Sequence, residues 1–190
     1  ANIKDLDGFR ALLAHVASSI GSTSDYSNFA KNAGLSFPTA KKYLFALEQS
    51  YILFKVYPYV KSTAKRFIKS PKWYFTDTGF LHSFRHGLSR GAIVENFVIA
   101  EIRKRLVILG MDASEMYFSQ SQSGAEVDLI VDFGKHKLAF EIKAGNSVGR
   151  NDYRNLKELM RIDPTISRGF VFYTGEEMEE VDPQIFMLPI

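Results

Sequence analysis

Asp128, Glu141 and Lys143 are the residues of this chain whose types and spacing could carry out a reaction. They stand on two apolar stretches, Gly124 to Asp132 and Lys137 to Lys143, separated by a turn at Phe133 to His136 that contains Gly134. Both stretches are β-branched or aromatic at most positions, which predicts a hairpin of two largely buried strands. Side chains two apart on a strand share a face, so Glu141 and Lys143 project together and the turn can bring Asp128 alongside. Two carboxylates and an ammonium on one sheet face could hold a Mg²⁺ ion and polarise a phosphodiester. A hard cation prefers carboxylate oxygens and keeps positions for water and phosphate. The lysine would orient the attacking water or stabilise the charge added in the transition state. The ordinary alternative is that acids on strands face solvent; their apolar neighbours weigh against it, because an unpaired charge is costly to bury there.

These strands need a scaffold, and the chain provides material for one. Its 190 residues are 46% hydrophobic, enough for a sizeable core in one large domain or two small ones, and no apolar run is long enough to cross a bilayer. Without cysteine there is neither a disulfide framework nor a thiolate zinc site, which fits a reducing, cytoplasmic setting. Residues 1 to 90 carry 13 Lys or Arg against 5 Asp or Glu, a balance of +8, and the remainder carries 11 against 16, a balance of −5. Halves of opposite sign predict two modules, the first suited to a polyanion.

In the first module, Leu6, Phe9, Leu12, Leu13, Val16 and Ile20 recur at helical spacing, predicting a helix over Asp5 to Ile20 that ends at Gly21. Ser22 to Asp25 can cap a short second helix stopped by Gly34, and Ser36 a third with Pro38 in its first turn. Ala40, Tyr43, Leu44 and Leu47 form the buried stripe of that third helix, so Thr39, Lys41 and Lys42 point elsewhere. An apolar strand at Tyr51 to Val60 finds its antiparallel partner at Trp73 to Thr76, and Lys61, Lys65, Arg66, Lys69 and Lys72 lie between them. Helices joined by a glycine turn and followed by strands have the layout of a winged helix-turn-helix over 1–88, with a basic wing beside a groove-facing helix. Contacts from such a wing to DNA phosphates would add affinity without sequence choice; a protein partner is the alternative for the same surface. His82 and His86 stand four apart and receive no role.

The second module, 89–190, reads as a long helix from Gly91 to Gly110 containing Glu95, a strand at Glu115 to Ser119, the hairpin, a helix at about Asn151 to Arg161, and a strand at Arg168 to Thr174. Acidic Glu176 to Asp182 then leads to a short apolar tail. The order is αβββαβ, an α/β (α+β) class with a central sheet flanked by helices.

This order, with Glu95 on the helix, Asp128 on one strand and Glu141-Ile142-Lys143 on the next, resembles the PD-(D/E)XK nuclease superfamily. The whole chain looks like the C-terminal region that follows an AAA-type ATPase domain in many prokaryotic proteins. The residues carrying that likeness are Pro38-Thr39-Ala40-Lys41-Lys42-Tyr43-Leu44, Lys65-Arg66-Phe67, Ser70-Pro71-Lys72-Trp73-Tyr74-Phe75-Thr76-Asp77-Thr78-Gly79, the helix from Gly91 to Glu101, and Gly124-Ala125-Glu126-Val127-Asp128. The resemblance implies Glu95, Asp128 and Glu141 as ligands of Mg (or Mn) and Lys143 as the catalytic lysine of a restriction-endonuclease-like core. The chain departs from the pattern at Ser119-Gln120-Ser121, where relatives tend to carry an arginine that positions phosphate. No phosphate-cradling Gly-x-x-x-x-Gly-Lys-Ser/Thr loop occurs, so ATP binding is expected in an upstream part of a longer polypeptide. Two readings follow: a divalent-metal-dependent DNA phosphodiesterase, or a catalytically inert DNA- or protein-binding module that regulates the ATPase.

Overall fold

Helix α1 (Leu6–Ser18) begins where the Asp5 carboxylate accepts the N–H of Gly8 at 2.8 Å, and α2 (Tyr26–Asn32) where Asp25 does the same for Asn28. Helix α3 (Phe37–Gln49) is capped by Ser36, with proline in its first turn. Each cap satisfies a donor that a helix N-terminus leaves orphaned. The turn after α1 passes through Gly21 at φ +78°, a conformation glycine adopts without steric cost. The structure, a computed structural model, describes residues 3–60, 70–84, 88–121 and 124–190. The proposed wing cations Lys61, Lys65, Arg66 and Lys69, and also His86, lie outside the described residues.

Strand β1 (Leu53–Pro58) pairs antiparallel with β2 (Lys72–Phe75) in the register Leu53 to Phe75 and Val56 to Lys72. Every residue of β2 is buried. Trp73 meets the edges of Tyr26 and Phe29, each at 5.7 Å between ring centroids, and its indole N–H donates to the Ser24 carbonyl at 3.1 Å. Burying each large apolar side chain here stabilises by about 2 kcal/mol. After β2 come a 3₁₀ segment (Thr78–Phe84) and α4 (Arg90–Ile108). Asn96 on α4 is fully buried; it accepts the Phe75 N–H at 2.8 Å and donates to the Phe75 carbonyl at 3.0 Å. One amide thereby completes the outer hydrogen bonds of a buried strand end.

Contacts divide the described residues into two units. The first holds the residues through Val56 and those from Ser70 to Ala100; the second holds Tyr57 to Val60 and Glu101 to Ile190. In the second unit Tyr57 and Pro58 of β1 run parallel to Tyr117 and Phe118 of β3 (Met116–Gln120). Strands β4 (Glu126–Asp132) and β5 (Lys137–Ile142) follow antiparallel, turning through Gly134 at φ +81°. Helix α5 (Arg154–Ile162) leads to β6 (Ile166–Tyr173), parallel to β5. The core beneath α5 gathers Ile130, Ala139, Leu156, Val171 and Met187.

The C-terminal segment differs from the sequence expectation. In place of an acidic lead and a tail, β7 (Glu179–Asp182) pairs antiparallel with β8 (Ile185–Pro189), and β8 lies parallel to β6. Alternation in β8 buries Ile185 and Met187, a period-two signal too short to identify a strand before its partner β6 is known. The acidic β7 closes that edge of the order β5-β6-β8-β7 with charge, which discourages pairing with another chain. Overall the architecture is mixed α/β.

Candidate functional site

The β4–β5 ladder places Leu129 opposite Phe140, and the next step of that register puts Asp128 opposite Glu141. On its other side β4 shifts register against β3: Tyr117 pairs with Ile130, whereas Ser119 pairs with Val127. The extra β4 residue sits at Asp128 and Leu129. Such a bulge bends a strand and re-aims a side chain. Here the Asp128 carboxylate accepts the backbone N–H of Ile142 at 2.8 Å, taking the place of a ladder carbonyl. In return the Asp128 N–H points at Glu141 Oε2, 3.4 Å away.

Lys143 completes the cluster. Its N–H donates to the Phe172 carbonyl at 2.8 Å, extending the parallel β5–β6 pairing, and its ammonium lies 3.1 Å from Glu141 Oε1. Glu141 is only 5% exposed. Burial pushes its carboxyl above the usual range and Glu126 adds to this, against the pull of Lys143 and the Asp128 N–H. Burial works against the charge of Lys143 as well, but Glu141, Asp128 and Asp152 together hold its ammonium above the ordinary lysine value. The result is a charged pair in a half-dry setting beside a second carboxylate.

Glu95 belongs to the first unit, where it has its own partners. Its Oε1 accepts the Tyr74 hydroxyl at 2.7 Å and lies 3.4 Å from the ammonium of Lys72. Its Oε2 packs so close to Gly21 that a Cβ there would stand 2.7 Å away. Among the described residues, no group of three or more His, Cys, Asp or Glu side chains is arranged to hold a metal ion.

The residues expected to meet nucleic acid divide in the same way. Lys41 and Lys42 are exposed on α3. Thr39 serves the helix cap, its N–H and hydroxyl both meeting the Ser36 hydroxyl, at 3.3 and 2.8 Å. Lys72 corrects the expectation of a wing cation. It is 1% exposed in β2 and paired with Glu95, so it cannot reach a phosphate in solvent. Its neighbours Trp73, Tyr74 and Phe75 are all core residues, and a strand that dry admits a lysine only with a carboxylate to meet it.

Sequence reasoning did not single out Glu126, Asp152 or Asn155. Glu126 raises the charge density at Glu141, and Asp152 faces the field of Lys143. Asn155 donates to the Glu126 carbonyl at 3.2 Å and ties α5 to the start of β4. Glu126 stands two positions before Asp128, a spacing that could have flagged it; Asn155 is marked by nothing local.

A family model described as domain of unknown function DUF8612 matches residues 1–90, and one described as domain of unknown function DUF4143 matches residues 90–190. The chain is 27% identical over 187 residues to uncharacterized protein Mb2031c of Mycobacterium bovis and, to the same extent, to uncharacterized protein Rv2008c of Mycobacterium tuberculosis. Each alignment covers 94% of this chain, which spans 40% of the length of those relatives. No solved structure matches the chain significantly.

Proposed function

The chain belongs to the DUF4143 family, and from that premise we propose that it is a nucleic-acid-binding, nuclease-like module of a larger AAA-type ATPase, acting on DNA phosphodiesters with Mg²⁺. The observation that carries this reading is the meeting of Asp128, Glu141 and Lys143 at one end of the β4–β5 pair, held by the Ile142 and Asp128 amides. The donor set suits a hard divalent cation, which commonly takes one or two carboxylates and keeps water and phosphate for the rest of its shell. Asp128 and Glu141 would hold it. Bound there, the ion would act as a Lewis acid on a phosphoryl oxygen. Lys143, kept protonated by its three acids, would meet the negative charge that grows on phosphate during attack. The first unit, read as a winged helix, would grip the substrate through Lys41 and Lys42, and the ATPase part would lie in the portion of the polypeptide outside this chain.

One observation favours a second reading. Glu141 rests in an ion pair with Lys143, and Glu95, the third ligand that the nuclease resemblance implies, is engaged with Lys72 and Tyr74. A core inherited as scaffold, serving as an inert binding module of the ATPase, would keep such pairs.

Incubation of the chain with plasmid and single-stranded DNA in Mg²⁺ or Mn²⁺ separates the two. Cleavage abolished by Asp128→Ala and Glu141→Gln, with DNA binding retained, supports the phosphodiesterase. No cleavage with either metal, or cleavage untouched by both substitutions, rejects it.

A further inference from the structure

Helix α3 buries Ala40, Tyr43, Leu44 and Leu47 and turns Pro38, Lys41, Lys42, Phe45 and Gln49 outward, one continuous stripe at i, i+3, i+4, i+7 and i+11. Its centre is aromatic: Phe45 is 59% exposed, one turn from both lysines. The sole acid of the helix, Glu48, is tied to Lys55 at 2.6 Å, so the charge facing outward is positive. Immediately past the helix, Tyr51 holds φ +56° with 75% of its surface exposed. A bulky residue in that left-handed conformation costs roughly 1–2 kcal/mol that glycine would avoid. That conformation ends α3: the Tyr51 N–H donates to the Glu48 carbonyl and the Ile52 N–H to the Leu47 carbonyl, each at 3.0 Å, so what Tyr51 offers a ligand is its exposed ring.

We infer that this face takes a single-stranded nucleic acid, with bases stacking on Phe45 and Tyr51 and phosphates meeting Lys41 and Lys42. The inference rests on the reading of the first unit as a nucleic-acid contact and specifies the strand structure. A helix that reads duplex edges in the major groove places arginine, asparagine or glutamine where the bases are. The centre of this stripe is a phenyl ring that can form no hydrogen bond, and Gln49 at its far end is the one amide. Aromatic rings among cations suit unstacked bases, because every base presents a π-face and the backbone supplies the charge. Positive charge and exposed rings together select a flexible polyanion over an apolar protein surface.

Fluorescence anisotropy of the intact chain with labelled oligothymidylate and with a duplex of equal length, across a salt series, tests this. The single strand is expected to bind about tenfold or more tighter than duplex. Phe45→Ala and Tyr51→Ala should each weaken single-strand binding by about five- to a hundredfold while leaving the salt slope unchanged. Lys41→Ala with Lys42→Ala should flatten that slope by about 1.4. Phe45→Trp should restore affinity, with its emission quenched on binding, which loss of fold could not produce. Duplex binding as tight as single strand, or wild-type affinity in both aromatic variants, overturns the inference. Absence of binding to either nucleic acid at low salt overturns the nucleic-acid reading of the first unit itself.

Discussion

Glu141 Oε1 lies 3.1 Å from the ammonium of Lys143, yet the burial of the carboxylate outweighs that attraction. Its folded pKa therefore stands above the unfolded value of 4.5. A carboxyl of this kind takes up its proton in the folded chain before the unfolded one does, so its ionised form weakens the fold at neutral pH. That weakening is relieved as pH falls through the folded pKa toward 4.5. Glu141→Gln is expected to raise the thermal midpoint at pH 7. Scans at pH 7 and pH 5 should show the gap to wild type closing at the lower pH. A variant less stable than wild type at pH 7 would mean that the ion pair outweighs its burial.

The Asp128 carboxylate occupies the place of a ladder carbonyl opposite Ile142. Asparagine keeps an acceptor oxygen, so Asp128→Asn should leave stability nearly unchanged while removing a metal ligand. Asp128→Ala strands the buried amide and should cost about 1–3 kcal/mol. Hydrogen exchange read at the Ile142 amide distinguishes them: fast in the alanine variant, slow in the asparagine one.

Asn96 satisfies both backbone groups of Phe75 with one side chain. Asn96→Asp preserves the acceptor and loses the donor to the Phe75 carbonyl, putting two oxygens in contact. Urea unfolding should show Asn96→Asp and Asn96→Ala each destabilised by about 2–4 kcal/mol, the cost of leaving one or two buried groups unpaired. Wild-type stability in either would show that the clamp is dispensable.

Gly21 cannot take a side chain for two independent reasons, its positive φ and the Glu95 carboxylate beside it. Gly21→Ala should lower the thermal midpoint, and by less in a Glu95→Ala background, itself destabilised because Lys72 loses its partner, where only the conformational part remains. A double-mutant cycle measures that coupling. Additive effects would mean that the carboxylate swings away freely.

Tyr51→Gly should stabilise the chain by about 1 kcal/mol, since glycine relieves the left-handed strain at the end of α3. Loss of single-strand affinity in the same variant would show that the exposed ring is used in binding. A destabilised Tyr51→Gly would instead show that the ring contributes to packing.

Local chemistry in the sequence is enough to find much of this architecture. Asp25 and Ser36 mark the starts of α2 and α3 because capping depends on residues three apart, and Gly134 marks the β4–β5 turn because a positive φ is a property of one residue. Glu141 and Lys143 are adjacent on one face by the period of a strand alone. Charge usually means exposure, so the sequence places Lys72 among surface cations; what allows its burial is Glu95, a partner distant in the chain. The strand β8 looks like a tail in the sequence because parallel pairing to β6 leaves no local mark. The bulge that turns Asp128 onto Ile142 depends on two neighbouring registers at once, those of β3 and β5. By itself the sequence determined the residue types of the candidate site and the elements that carry them, since propensity, capping and periodicity act over a few residues. Which charges are buried, which are paired and where the last strands lie were decided by the tertiary structure, because desolvation and ladder pairing join residues that the chain keeps far apart.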